Sequence, residues 1–218
     1  MSDPIFHEID EEVRRERYKQ LWNQYGTLVI SAAVVLVLAI GGWRGYQWWE
    51  ARQAAQAGAA FEVAAELADQ DKHAEAEQAF AKIAKEAPSG YRMLARLREA
   101  AALAQRDPKT AVKAYDALAN DTSLTLEMRD LARLRGAMLV VDTAGYDELV
   151  QRLEPLTAPK GTFRHSAREL LAFAAWRTGK NDVAKKWIDM IVTDAETPAS
   201  TRGRVEMLMA LTGASAKG

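Results

Sequence analysis

Between Tyr25 and Trp43 the chain runs nineteen residues without a charged side chain, and this stretch limits the fold more than any other. As a helix rising about 1.5 Å per residue it would span roughly 28 Å, close to the roughly 30 Å hydrocarbon core of a bilayer. Aromatic rings cluster at its ends, Trp22 and Tyr25 before it and Trp43, Tyr46, Trp48 and Trp49 at and after its close. Amphipathic rings favour the headgroup level, so these six residues read as membrane-interface anchors. Two other readings compete. A core helix of a small domain rarely stays apolar on every face for so long. A cleaved signal peptide, with Ala55-Gln56-Ala57 as its end, would have a shorter apolar run and a less acidic approach. An uncleaved signal anchor is the expectation, and Gly41, Gly42 and Gly45 offer another membrane helix a small surface to pack on.

Orientation follows from the flanking cations. Arg14, Arg15, Arg17 and Lys19 precede the span, whereas Arg44 and Arg52 follow it. The excess of positive charge keeps the N-terminus in the cytoplasm, and the acidic run at 8–12 counts little in that rule. The expected layout is a charged cytoplasmic segment at 1–24, a transmembrane anchor at 25–43, an aromatic-rich juxtamembrane linker at 44–54, and a repeat domain at 55–218 outside the cytoplasm.

A packed core is expected in that last part, because the chain is 49% hydrophobic and 27% charged, a globular composition. From Glu50 onward there are 24 acidic and 24 basic residues, so no field draws the region to nucleic acid. Cysteine is absent, which removes disulfides and thiolate chemistry and fits an oxidising compartment.

Helical spacing and regular punctuation by proline and glycine mark the domain as a string of short helices, all-α in class. The stretches KHAEAEQAFAKIAKEAP, PKTAVKAYDALAND, YDELVQRLEPL and NDVAKKWIDMIVTD superimpose so that Ala76, Ala111, Leu149 and Ala184 coincide, in steps of 35, 38 and 35. Four residues on come Phe80, Tyr115, Leu153 and Ile188, and three further Ile83, Leu118, Leu156 and Ile191. Such columns form one face of a helix. Between them lie equally similar partners, YRMLARLREAA, MRDLARLRGAM and FRHSARELLAF, with GRVEMLMA as a truncated fourth. Two helices per roughly 35 residues is the pattern of a tetratricopeptide-type solenoid of helical hairpins. Pro155 should cut its helix early, and AGAAFEVAAELADQD, the first helix of the first repeat, lacks the usual tryptophan and glycine.

From FHEIDEEVRRER through WRGYQWWEARQAAQAG and the ARLR segments to the last repeat, the chain resembles the ancillary SecYEG translocon subunit, or tetratricopeptide-repeat-like, family of bacterial inner-membrane proteins. That resemblance implies a single-pass protein with a periplasmic repeat domain, associated with the Sec translocon and a membrane-anchored periplasmic chaperone. An envelope scaffold for cell-wall synthesis or cell division is the alternative.

Catalysis is not expected. His7, His73 and His165 are scattered outside any metal-binding spacing, and no phosphate-cradling or nucleophile motif occurs. Neither a cofactor nor a small-molecule substrate is therefore expected. His73 and His165 read as exposed or capping residues, and Asn120-Asp121-Thr122 as an interhelical loop. The candidate partner-binding feature is an arginine ladder. Arg92, Arg129 and Arg164 coincide in the aligned first helices, and Arg96, Arg133, Arg168 and Arg204 form a second column. On first helices lining a groove they could pair with carboxylates of a partner. Equally, they could join neighbouring repeats through Glu99, Asp130 and Glu169.

Overall fold

The computed structural model of the chain describes the backbone of residues 4–211, with side chains from Leu21 onward and those of Arg15, Glu16 and Lys19. The side chains of Arg14, Arg17, His7 and the acidic run at 8–12 lie outside the described residues. Among the described residues every regular element is helical: α1 Pro4–Asp69, α2 His73–Glu86, α3 Ser89–Ala104, α4 Pro108–Ala119, α5 Leu126–Val140, α6 Tyr146–Leu153, α7 Arg164–Arg177, α8 Asn181–Val192 and α9 Ala199–Leu211. The chain divides into two compact units, Met1–Ala55 and Gln56–Gly218.

The described residues of the first unit are helix alone. Residues 44–54 are helical as well, inside α1. Leu28 is 67% and Leu38 69% exposed, and apart from Gly26, covered by Trp22, the stretch is exposed throughout. A core helix would bury a face against protein, so that reading fails here. Among the described residues α1 is the one helix long and apolar enough to cross a membrane.

In the second unit the tail of α1 serves as the first helix of the first repeat, not as a separate element. All twelve column residues, from Ala76 to Ile191, are buried. Each small column residue lets the adjoining helix approach, and each large one that follows fills the space beyond it, worth about 1.5–3 kcal/mol per side chain. The first helices contribute a complementary column of alanines, Ala95, Ala132 and Ala167, all inaccessible to solvent.

Each core draws on one hairpin and the first helix of the next. Ala57 and Ala64 of α1 meet Phe80 and Ile83 of α2 and Ala95 of α3. Tyr115 and Leu118 of α4 join Ala100 of α3 and Ala132 of α5. Leu149 and Leu153 of α6 lie against Leu134 of α5 and Leu171 of α7. Ile188 and Ile191 of α8 meet Ala172 of α7 and Val205 and Leu208 of α9. Packing is therefore between neighbours, as a repeat solenoid requires.

The breaks have local causes. α6 stops at Leu153, and Pro155 sits in a 3-10 turn at Glu154–Leu156 that still buries Leu156. α1 and α7 end alike. Asp71, at φ 58, and Gly179, at φ 74, take the left-handed conformation. Lys72 N–H then donates to Leu67 O at 2.9 Å and Lys180 N–H to Ala175 O at 2.8 Å, which closes each helix with a six-residue cap.

Candidate interaction surface

Helix C-termini leave carbonyls without partners and carry partial negative charge, and three of the ladder arginines serve these ends. Arg92 donates from Nε and Nη2 to Ala87 O at 3.3 and 3.1 Å, capping α2. Arg133 Nη2 donates to Ala119 O at 3.3 Å, at the end of α4. Arg168, only 4% exposed, donates to Thr157 O from Nε at 3.2 Å and Nη2 at 2.9 Å, and from Nη1 to Met190 O at 3.4 Å. It thus joins the ends of two successive second helices.

The remaining donors meet carboxylates. Arg96 pairs with Asp121 in the α4–α5 loop at 2.7 Å, and Arg133 with Asp130 at 2.9 Å. Arg164 bonds Asp194 at 2.9 Å and also Glu196, while Arg168 reaches Asp194 at 3.2 Å. Held mainly by Arg164, Asp194 has its pKa pulled down to about 2. Asp121 is likewise lowered to about 2, first by the Ser123 hydroxyl and backbone and then by Arg96. Arg204 grips Glu169 with two nitrogens, Nη2 to Oε2 at 2.7 Å, across the α7–α9 junction. Arg129, in register with Arg92 and Arg164, has its Nε buried without a hydrogen-bond partner among the described residues.

Of the three carboxylates considered as links between repeats, Glu169 makes one, to Arg204, whereas Asp130 pairs with Arg133 inside its own helix. Glu99 is paired with none of the ladder arginines; burial raises its pKa, Glu77 adds to the rise, and Lys85 and Arg96 oppose it. His165 also departs from expectation. Its side chain is partly covered, with Nδ1 at 3.1 Å from the Thr197 hydroxyl of the α8–α9 loop.

The open surface lies beside the ladder. A groove of about 620 Å³ runs along the first helices, with Leu134 and Met138 from α5 at one side. Its floor is Leu170, Phe173 and Trp176 of α7, the two rings tilted with centroids 5.8 Å apart. Met207, Leu208 and Leu211 of α9 form the other side. Met207 and Leu211 are 65% and 66% exposed. Arg204 and Glu169 lie at the edge and cancel one another. Of the seven ladder arginines, Arg204 is the one that lines this groove.

Pattern reading passed over the groove side chains because Met138 and Phe173 fall outside the buried columns that reveal repeats. Their signal is the opposite one, large apolar residues at helical spacing on the face a column leaves free. In α1 the six aromatic candidates, Trp22, Tyr25, Trp43, Tyr46, Trp48 and Trp49, are all exposed. The Arg52 guanidinium lies 5.4 Å from the Trp48 ring centroid, an arrangement suited to a ring whose edge meets water.

Comparison with known proteins agrees with the repeat reading. The family described as tetratricopeptide repeat-like domain matches residues 19–205. No curated protein and no solved structure matches the chain.

Proposed function

Because the chain belongs to the tetratricopeptide repeat-like domain family, we propose that it is a membrane-anchored scaffold that binds protein partners through its repeat domain. Domains of this family are typically non-catalytic interaction scaffolds. The observation that carries the proposal is the apolar groove on the first helices, open to solvent in the same chain as an apolar helix exposed on all sides. Water-exposed apolar surface of this extent marks a place where something else binds.

The finer reading is an ancillary subunit of the Sec translocon in a bacterial inner membrane, with the N-terminus cytoplasmic and the repeats periplasmic, in contact with a membrane-anchored chaperone. Support for it comes from the resemblance drawn on the sequence and from the cation excess before the span. Photo-crosslinking amino acids at Met138, Met207 and, in the span, Gly41 test both levels in living cells. Crosslinks to translocon subunits and to a chaperone are expected. Crosslinks to cell-wall synthesis or division proteins would instead establish the envelope-scaffold alternative, and none from Met138 or Met207 would remove the groove from the account. A reporter active only outside the cytoplasm, fused after Gly218, should be active; activity of a cytoplasmic reporter there reverses the orientation.

A further inference from the structure

Two arginines of the first helices stand apart from the ladder. Arg98 on α3 and Arg135 on α5 are separated by 37 residues, the same step that relates Arg96 to Arg133. Both are exposed, and neither makes a hydrogen bond or ion pair among the described residues. Two residues along a helix is a turn of about 200°, so Arg96 and Arg133 reach the loops while Arg98 and Arg135 face the other way. Both act on one point: Tyr115, inserted from α4 between α3 and α5, has its hydroxyl pKa raised by burial and opposed by Arg135 and Arg98.

Arg135 directly follows Leu134 and lies three residues before Met138, and both of these line the groove. A residue three before another shares its helix face. Arg135 therefore flanks the groove on its α5 side, and Arg98 holds the equivalent place on α3, the next first helix beyond it. Like charges on adjoining helices repel, and no carboxylate among the described residues forms an ion pair with either of them, those nearby in sequence, Asp121 and Asp130, being held by Arg96 and Arg133. Asp116, on the α4 side of Gly136, is already bound by Arg152. An incoming carboxylate would remove the repulsion and gain two charge-assisted bonds.

We propose that the groove binds an amphipathic, acidic segment of a partner protein, its apolar side chains against Met138, Phe173 and Met207 and its carboxylates on Arg98 and Arg135. This rests on the scaffold reading and adds the chemistry of the partner.

The test uses the full chain in mild detergent and three labelled peptides of about 15 residues, long enough for four helical turns. They share the same leucines and phenylalanines and differ in carrying glutamate, glutamine or lysine at the polar positions. The glutamate peptide should bind tightest and the lysine peptide weakest. Arg98→Gln with Arg135→Gln should weaken the glutamate peptide about tenfold and leave the glutamine peptide unchanged. Arg98→Lys with Arg135→Lys should keep most of the affinity, Lys82→Gln on α2 should change nothing, and Met207→Asp should weaken all three peptides. Equal binding of glutamate and glutamine peptides, or indifference to the double glutamine variant, overturns the acidic partner and leaves the scaffold reading standing. No effect of Met207→Asp, or no binding by any peptide, overturns the groove as the site. If the double variant instead dissociates a dimer in sedimentation, the pair belongs to a second copy of the chain and the proposal falls. The scaffold reading itself stands or falls separately, on the crosslinks.

Discussion

Asp194 holds two guanidinium groups, one of them nearly inaccessible to solvent, and its titration should be visible in the stability of the protein. Its folded pKa of about 2 lies below the ordinary 3.8, so its ionised form stabilises the fold at every pH above that ordinary value. The contribution is lost as pH falls from about 4 to about 2, and Asp121 behaves in the same way. Urea midpoints measured from pH 6 to pH 2 should fall for the wild type. Asp194→Asn should start lower at pH 6 and fall less. Glu99 has the opposite sign. Its raised pKa means that its contribution is present below the ordinary value and lost as pH rises through the folded one, so Glu99→Gln should raise the midpoint at pH 7. The register of these arginines was legible, because a step near 36 residues survives in the letters. Their partners were not, because Ala87, Ala119 and Thr157 contribute backbone carbonyls that no side-chain pattern announces. Nor was the division of labour inside ARLR, where the first arginine turns inward and the second outward.

Helices are where sequence and structure agree most closely, since burial acts on whole faces and leaves a period in the letters. Pro155 also had its foreseen effect. Less legible was the absence of a break before Ala57, because nothing in the aromatic segment after Trp49 stops a helix and α1 simply continues. The cap shared by α1 and α7 makes a quantitative prediction. Gly179 takes its left-handed conformation without strain, so Gly179→Ala should cost about 1 kcal/mol. Asp71→Gly relieves the strain at the equivalent place but frees the unfolded chain, for a net gain of about 0.5 kcal/mol. Thermal melts of both variants check the pair, and a loss at Asp71→Gly would mean that its carboxylate, 3.6 Å from His73, matters more than its backbone. Core and groove should separate as sharply. Phe80→Ala empties a fully buried column position and should cost about 3–5 kcal/mol, whereas Met207→Ala should cost under about 0.5 kcal/mol.

For the molecule as a whole, each core is built from adjoining helices downstream of Gln56, so a fragment of residues 56–218 should be soluble, folded and helical without the span. Circular dichroism and a cooperative melt check this; aggregation, or a strand-dominated spectrum, would contradict it. On the proposed anchoring by α1, the fragment should nevertheless recover partners from membranes poorly. A tether raises the effective concentration of a weak second contact, and without the anchor that gain disappears. α9 packs on α7 and α8 and buries only Thr201, Val205 and Leu208, whereas α7 buries Ala167, Arg168, Leu171, Ala172, Ala174 and Ala175. A helix held by few buried side chains opens more often than one buried along its length. Amide protons of α9 should then exchange with solvent faster than those of α5 or α7. Since α9 is also a wall of the groove, whatever fills the groove must slow that exchange, and the helix becomes an internal gauge of occupancy readable by deuterium uptake before any partner has been identified.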